Sequence, residues 1–218
     1  DAFLADGLSP VWVSVDGRVE GVAGIGDPLR ADAKRTVAAL RARGIRVHVL
    51  SGDHPGVVAR VAAELGLPAG DARGGLSPEE KRDAVAALAA EGRQGSVVMV
   101  GDGVNDAAAL ALADVGVAVH GGAGASIVAA DVVLTREGVA PVLDLLDGAR
   151  RLRGVVRRNL AFSLAYNAAA GALALLGLVG PLLGAVMMPC SSLTVVLSSA
   201  LARTFPGAPA RRAAEAEA

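Results

Sequence analysis

With 218 residues the chain is long enough for one domain of ordinary size and something more. A formal net charge of −1 removes any electrostatic case for nucleic acid, and one cysteine, Cys190, excludes an internal disulfide and a multi-cysteine zinc site. Hydrophobic residues make up 53% and aromatic residues 2%, so packing rests on Ala, Val and Leu, and the positive mean hydropathy raises the question of membrane segments.

In chain order, Val11–Ile25 alternates around Asp16-Gly17, a favoured two-residue hairpin turn, and predicts two strands, VWVSV and RVEGVAGI. Asp27-Pro28 predicts an N-cap with proline at the first helical position, and a helix to about Arg43 that stops at Gly44. The run Arg46–Leu50 predicts a strand, followed directly by Ser51-Gly52-Asp53. His54-Pro55 opens a second helix, to Leu65, stopped by Gly66. Ser77-Pro78 opens a third, with Glu80 at the capping-box spacing and Lys81 in the first turn. Ser96–Val100 is apolar and β-branched, as a buried parallel strand should be, and Ala107–Ala113 is a strong helix former. Val115–Val119 predicts a strand, Ala123–Ala129 a short helix and Asp131–Leu134 a further strand. Strands alternating with helices imply an α/β fold, a parallel sheet flanked by helices. Ligands of such sheets bind at the carboxyl ends of the strands, where both Ser51-Gly52-Asp53 and Gly101-Asp102-Gly103-Val104-Asn105-Asp106 sit.

The second of these turns carries the densest chemistry. Gly101 and Gly103 permit a tight turn and bring backbone N–H groups close to an anion. Asp102 and Asp106 are hard oxygen donors of the kind that hold Mg²⁺ beside a phosphate, and Asn105 can donate to a phosphoryl oxygen. Taken alone, the turn is also compatible with solvated acids between a strand and a helix. Elsewhere, Asp27 reads as an N-cap before a site residue, and His48 as a structural residue inside a strand. His54 and His120 fall in loops, and three scattered histidines do not make a metal site. Asp114 and Asp131 flank strands and read as caps or turn residues.

Ser51-Gly52-Asp53, then Pro78-Glu79-Glu80-Lys81, then the run from Gly101 to Leu110 resemble, in that order, the phosphorylation domain of P-type cation-transporting ATPases, within the haloacid dehalogenase-like superfamily. The family patterns are T/S-G-D, P-x-x-K and GDGxNDxxAL, and the resemblance runs from about Val11 to Ala202. It implies ATP and Mg²⁺ as cofactors and an aspartyl-phosphate formed on the aspartate of a DKTG motif. No DKTG occurs in this sequence, so the nucleophile is expected upstream of Asp1, and the chain by itself is expected to be inactive. The resemblance makes Asp102 the Mg²⁺ carboxylate, with Asp106 orienting the loop or assisting the metal's water shell. Asn105 and Lys81 would neutralise or hydrogen-bond the transferring phosphoryl group, where catalysis is mainly positioning and electrostatics. Ser51 and Gly52 would cradle phosphate oxygens, beside Gly101 and Gly103, and Asp53 would contact nucleotide or act at a hinge. Ser51 stands where the family commonly has Thr, which keeps the hydroxyl. Lys81 without its motif would read as a solvated helix lysine.

From Gly138 the character changes. Val139–Arg158 is amphipathic, with Arg150, Arg151, Arg153, Arg157 and Arg158 clustered before the uncharged run Leu160–Val179. That run and Leu182–Leu201 are each about as long as a bilayer-spanning helix needs, with Gly180-Pro181 as the turn. The arginines before the first run, and Arg203, Arg211 and Arg212 after the second, place both flanks in the cytoplasm. Tyr166 and Asn167 interrupt the first run; Met187, Met188, Cys190, Ser191 and Ser192 interrupt the second. Thioether and thiol are soft ligands suited to Cu(I). Tyr-Asn followed by Met-x-x-Ser-Ser resembles the last two spans of the copper-transporting heavy-metal subgroup, with Pro189-Cys190 and the pair Ser198-Ser199 as departures. Cys190 reads either as an ion ligand or as a small apolar residue.

The expected organisation is therefore the C-terminal part of a phosphorylation domain at 1–137, an amphipathic cytoplasmic connector at 138–159, two transmembrane helices at 160–202 and a disordered tail at 203–218. The expected function is part of an ATP-driven heavy-metal transporter in the plasma membrane. Its partners would be a soft ion, Cu⁺ before Zn²⁺ or another divalent cation, membrane lipid and the remaining domains of the parent ATPase. The rival readings are a soluble haloacid dehalogenase-like phosphatase and a non-catalytic membrane fragment that binds Mg²⁺ or nucleotide.

Overall fold

Asp16 and Gly17 adopt positive φ, 52° and 78°, as the tight turn of a two-residue hairpin requires. They join strands β1 (Ser9–Val15) and β2 (Arg18–Ile25) in an antiparallel pair whose register shifts between Val13 and Ser14. The computed structural model describes residues 3, 8–91, 95–102, 104–122 and 124–205. The hairpin is exposed on both faces, Trp12 and Val13 included.

Helix α1 runs Ala33–Ala42, and so starts later than Asp27-Pro28 predicts. Asp27 makes no hydrogen bond among the described residues, and the residue at the N-cap is Asp32. Asp32 does not cap its own helix either. Its Oδ2 accepts from the backbone N–H groups of Val139 and Ala140, at 2.8 and 2.7 Å. Gly44, at φ 75°, ends α1 as expected.

Strand β3 (Val49–Leu50) pairs in parallel with β4 (Ala72–Arg73), and α2 (Pro55–Glu64) lies between them in sequence. His54 is the N-cap of α2, its Nδ1 accepting from Gly56 N at 3.1 Å, and His48 precedes β3 within 3.5 Å of Asp71. Helix α3 (Pro78–Glu91) is followed by β5 (Val98–Gly101), α4 (Ala107–Leu112), β6 (Val115–Ala118), α5 (Gly124–Ala129) and β7 (Val132–Val133). β5, β6 and β7 form a second parallel sheet in that order. The expected parallel sheet is thus present as two, because among the described residues no strand pairs β3 with β5. Asp114 and Asp131 are turn residues, accepting from Val97 N at 2.7 Å and Gly116 N at 2.8 Å.

Burial follows the strand–helix alternation. Val37, Ala62 and Leu67 form one core cluster, with Val47, Val49, Leu65 and Ala72 packed against it. Val85 of α3, Ala109 and Leu110 of α4, and Val117 and Ala118 of β6 are buried. α4 lies so close to β6 that a Cβ at Gly116 would meet the Leu110 carbonyl oxygen at 2.6 Å.

Helix α6 (Pro141–Leu175) is followed by α7 (Pro181–Ala200). The chain divides into compact units at Asp1–Leu143 and Asp144–Ala218, and the division falls inside α6. Within the second unit the helices run antiparallel: Asn159 bonds to Ser198 and Ser199, and Tyr166 to the Met187 carbonyl. Gly177, at φ 74°, follows the end of α6, so the first apolar run leaves the helix at Leu175, short of Val179. Pro181 is the first residue of α7 rather than part of the turn. Among the described residues α7 is the one helix long and apolar enough to cross a membrane, and none of its apolar window is buried. Arg211, Arg212 and the tail from 206 lie outside the described residues.

Candidate active site and membrane-helix constellation

Ser51 leaves the carboxyl end of β3 and turns back on itself. Its Oγ donates to Asp53 Oδ2 at 2.9 Å and accepts from Asp53 N at 3.1 Å, a local side-chain turn. The turn is tied to the segment before α3. Leu76 N donates to Ser51 O at 3.0 Å, and Gly75 N donates to Asp53 O at 2.6 Å. This approach requires a residue without a side chain at 74, where a Cβ would lie 2.7 Å from Pro55 Cα. Gly52 is exposed at the tip.

Ser77 and Glu80 form the predicted capping box. Ser77 N donates to Glu80 Oε2 at 2.8 Å, and Glu80 N donates to Ser77 Oγ at 3.2 Å. The box fixes the first turn of α3 and with it Lys81. Lys81 Nζ donates to Asp106 Oδ1 at 3.0 Å. Both side chains are largely buried, 13% and 12% exposed. Asp106 closes a short 3-10 turn, Val104–Asp106, and is the N-cap residue of α4. It packs against Gly101, where a Cβ would lie 2.9 Å from Asp106 Cβ and Oδ2. Three segments far apart in sequence are thus linked: the Ser51 turn to α3 through backbone bonds, and α3 to the β5–α4 turn through Lys81 and Asp106.

An ammonium carries three donors, so the bond to Asp106 leaves Lys81 further capacity for an anion. Asn105 and Asp102 are exposed, and Asp102 has no hydrogen bond or ion pair among the described residues. Gly103 lies outside the described residues. The donor set fits Mg²⁺ held by one carboxylate, Asp102, with water and phosphate oxygens completing the shell. Among the described residues no group of three His, Cys, Asp or Glu could hold a metal ion by itself. The Lys81–Asp106 pair was hidden from sequence reasoning, which had each residue singly. The signal for it was their membership of two consecutive motifs, since a separation of 25 residues carries no local pattern.

In the second unit, Tyr166 is half-buried and its hydroxyl donates to Met187 O at 2.9 Å. Asn167 Nδ2 donates to Ser163 Oγ at 3.3 Å, within its own helix. Met188, Cys190 and Ser192 are exposed and Ser191 is half-buried. α7 continues through Pro189, so Met188 and Cys190, two residues apart, lie on nearly opposite sides of it. Met188, Ser191 and Ser192 share a face. The pair Ser198-Ser199, a departure from the copper-type pattern, binds Asn159.

The matching family is that of the haloacid dehalogenase-like hydrolases, over residues 1–114. The chain is 40% identical over 199 residues to a cation-transporting P-type ATPase B of Mycobacterium bovis, a match covering 91% of this chain and 26% of the relative. It is 38% identical to a copper-exporting P-type ATPase of Mycobacterium leprae, covering 91% of this chain and 25% of that protein. A crystal structure of a zinc-transporting PIB-type ATPase in its E2.Pi state matches with a TM-score of 0.78 and 30% identity, over 90% of this chain and 32% of the other. The chain spans about a quarter of the length of these curated relatives.

Proposed function

Because this chain belongs to the haloacid dehalogenase-like hydrolase family and is similar over most of its length to heavy-metal P-type ATPases, we propose that it is the C-terminal part of one, working through an aspartyl-phosphate on an aspartate outside these 218 residues. The observation that carries this reading is the Lys81–Asp106 pair, which joins the P-x-x-K helix to the GDGVND turn at the carboxyl end of β5. Lys81 is held by Asp106 so that its remaining donors meet the charge that develops on a transferring phosphoryl group. Asn105 donates to the same group. Gly52 offers its backbone N–H to phosphate oxygens at the end of β3, and Ser51 would join it by turning its one hydroxyl proton from Asp53 to the phosphate. Asp102 holds Mg²⁺, which when bound with ATP neutralises phosphate charge. The long apolar helix α7, no residue of whose apolar window is buried, supports an integral membrane protein over a soluble phosphatase. The arginines of α6 support a cytoplasmic side for the connector that precedes its uncharged half.

For the ion we propose Cu⁺. A copper-exporting relative matches, and the Met188 thioether is a soft donor on one face with Ser191 and Ser192. Cys190 lies on the other side of α7, so its thiol serves a different contact from Met188. Zinc remains the rival, since one of the matching solved structures is described as zinc-transporting. The test is ATPase stimulation of the full-length parent by a metal panel, with Met188→Ala alongside. Cu⁺ should stimulate, and the variant should lose at least half of that response. Stimulation by Zn²⁺ alone would overturn the copper reading and leave the phosphorylation reading standing.

A further inference from the structure

The first half of α6 holds Arg150, Arg151, Arg153, Arg157 and Arg158, all exposed. Among the described residues none of them has a carboxylate partner, and only Arg158 engages a side chain, donating Nη2 to Ser198 Oγ at 3.4 Å. Arg150, Arg153 and Arg157 follow one another at steps of three and four and share a helix face. On the adjoining face Leu152, Val156, Leu160 and Leu164 recur at steps of four and are all exposed. The cationic face therefore borders an apolar stripe that runs on into the uncharged half of the helix. Where the arginines end, a cavity of about 150 Å³ opens between α6 and α7, lined by Arg158, Asn159, Phe162, Thr194, Val195 and Ser198. Asn159 holds its rim in place, its Nδ2 donating to Ser199 Oγ and its Oδ1 accepting from Ser198 Oγ, both at 2.8 Å.

A row of guanidiniums without counter-charges, beside an apolar stripe, matches a ligand with an anionic head and long apolar tails. We propose that this face binds the headgroup phosphate of anionic phospholipids, with one headgroup on Arg153 and Arg157 and its acyl chains along Leu160 and Leu164, towards the uncharged half of α6. The assignment rests on the membrane-spanning reading of α6 and α7. Inorganic phosphate would satisfy the guanidiniums but leave the stripe uncovered, so the lipid is the better match. Arginines near a membrane surface each contribute about a fivefold preference for anionic lipid.

The test takes the 218-residue chain in two arms. Flotation with vesicles of phosphatidylcholine alone reads membrane insertion. Native mass spectrometry in detergent, with equimolar phosphatidylglycerol and phosphatidylcholine, reads which lipid is retained. The chain should float with the neutral vesicles and retain phosphatidylglycerol. The double variant Arg153→Gln, Arg157→Gln should lower that preference by at least about fivefold, and Arg153→Lys, Arg157→Lys should restore most of it. Failure to float would remove the membrane reading and this proposal with it. Flotation without phosphatidylglycerol preference would overturn the lipid site alone. Equal retention by the Gln variant, or displacement of the lipid by equimolar inorganic phosphate, would also overturn it.

Discussion

Lys81 and Asp106 are each ordinary residues on their own helix or turn, and their significance comes from meeting at 3.0 Å away from bulk water. Removing one partner of a pair so placed leaves a buried charge without its counter-ion, which costs up to about 3 kcal/mol. Replacing both costs less than the sum of the single changes. Hydrogen exchange at the amides of α3 and β5 in the parent protein, across Lys81→Ala, Asp106→Ala and the double variant, should give a coupling of about 1–3 kcal/mol. Additive effects would show that the two motifs are not coupled through this contact. The sequence made both residues candidates because each lies in a recognisable pattern. It could not supply the pairing, since a long-range ion pair has no periodicity to read. Met188 and Cys190 show a converse limit: proximity in sequence suggested a joint role, and helix geometry separates them.

Among the elements, those set by local chemistry were legible. The Asp16-Gly17 hairpin, the Ser77–Glu80 capping box, the Gly44 helix stop and the turn roles of Asp114 and Asp131 follow from residues within a few positions of each other, or at a strand end. The start of α1 was not, because Asp27-Pro28 satisfies the local rule while Asp32 is engaged by backbone groups more than a hundred residues away. β4 escaped for a different reason, as two residues are too few to show alternation. Asp32 receives both N–H groups just before α6, which a helix start otherwise leaves unsatisfied. Asp32→Ala should therefore cost about 1–2 kcal/mol locally. It should accelerate amide exchange at Val139 and Ala140 while leaving α7 unchanged. Unaltered exchange at those two amides would mean that the two bonds contribute nothing to holding the start of α6.

For the whole molecule, the α/β unit and the helical hairpin were both visible as a change of composition near Gly138. Their division at Leu143 was not, because α6 runs through it without a sequence break. The parallel sheet appears as two, and the turns at the ends of β3 and β5 are bridged by α3 and the Lys81–Asp106 bond rather than by a continuous sheet. The task proposed for this unit is to present Lys81, Asn105 and Asp102, which would hold Mg²⁺, to a phosphoryl group on an aspartate outside these 218 residues. The most direct test is the level of acid-stable phosphoenzyme formed from radiolabelled ATP by the full-length parent, with Asp102→Asn beside the wild type. The substitution keeps the shape of the side chain and removes the charge proposed to face Mg²⁺. The account predicts phosphoenzyme in the wild type and only background in the variant. Equal labelling of the two proteins would contradict it.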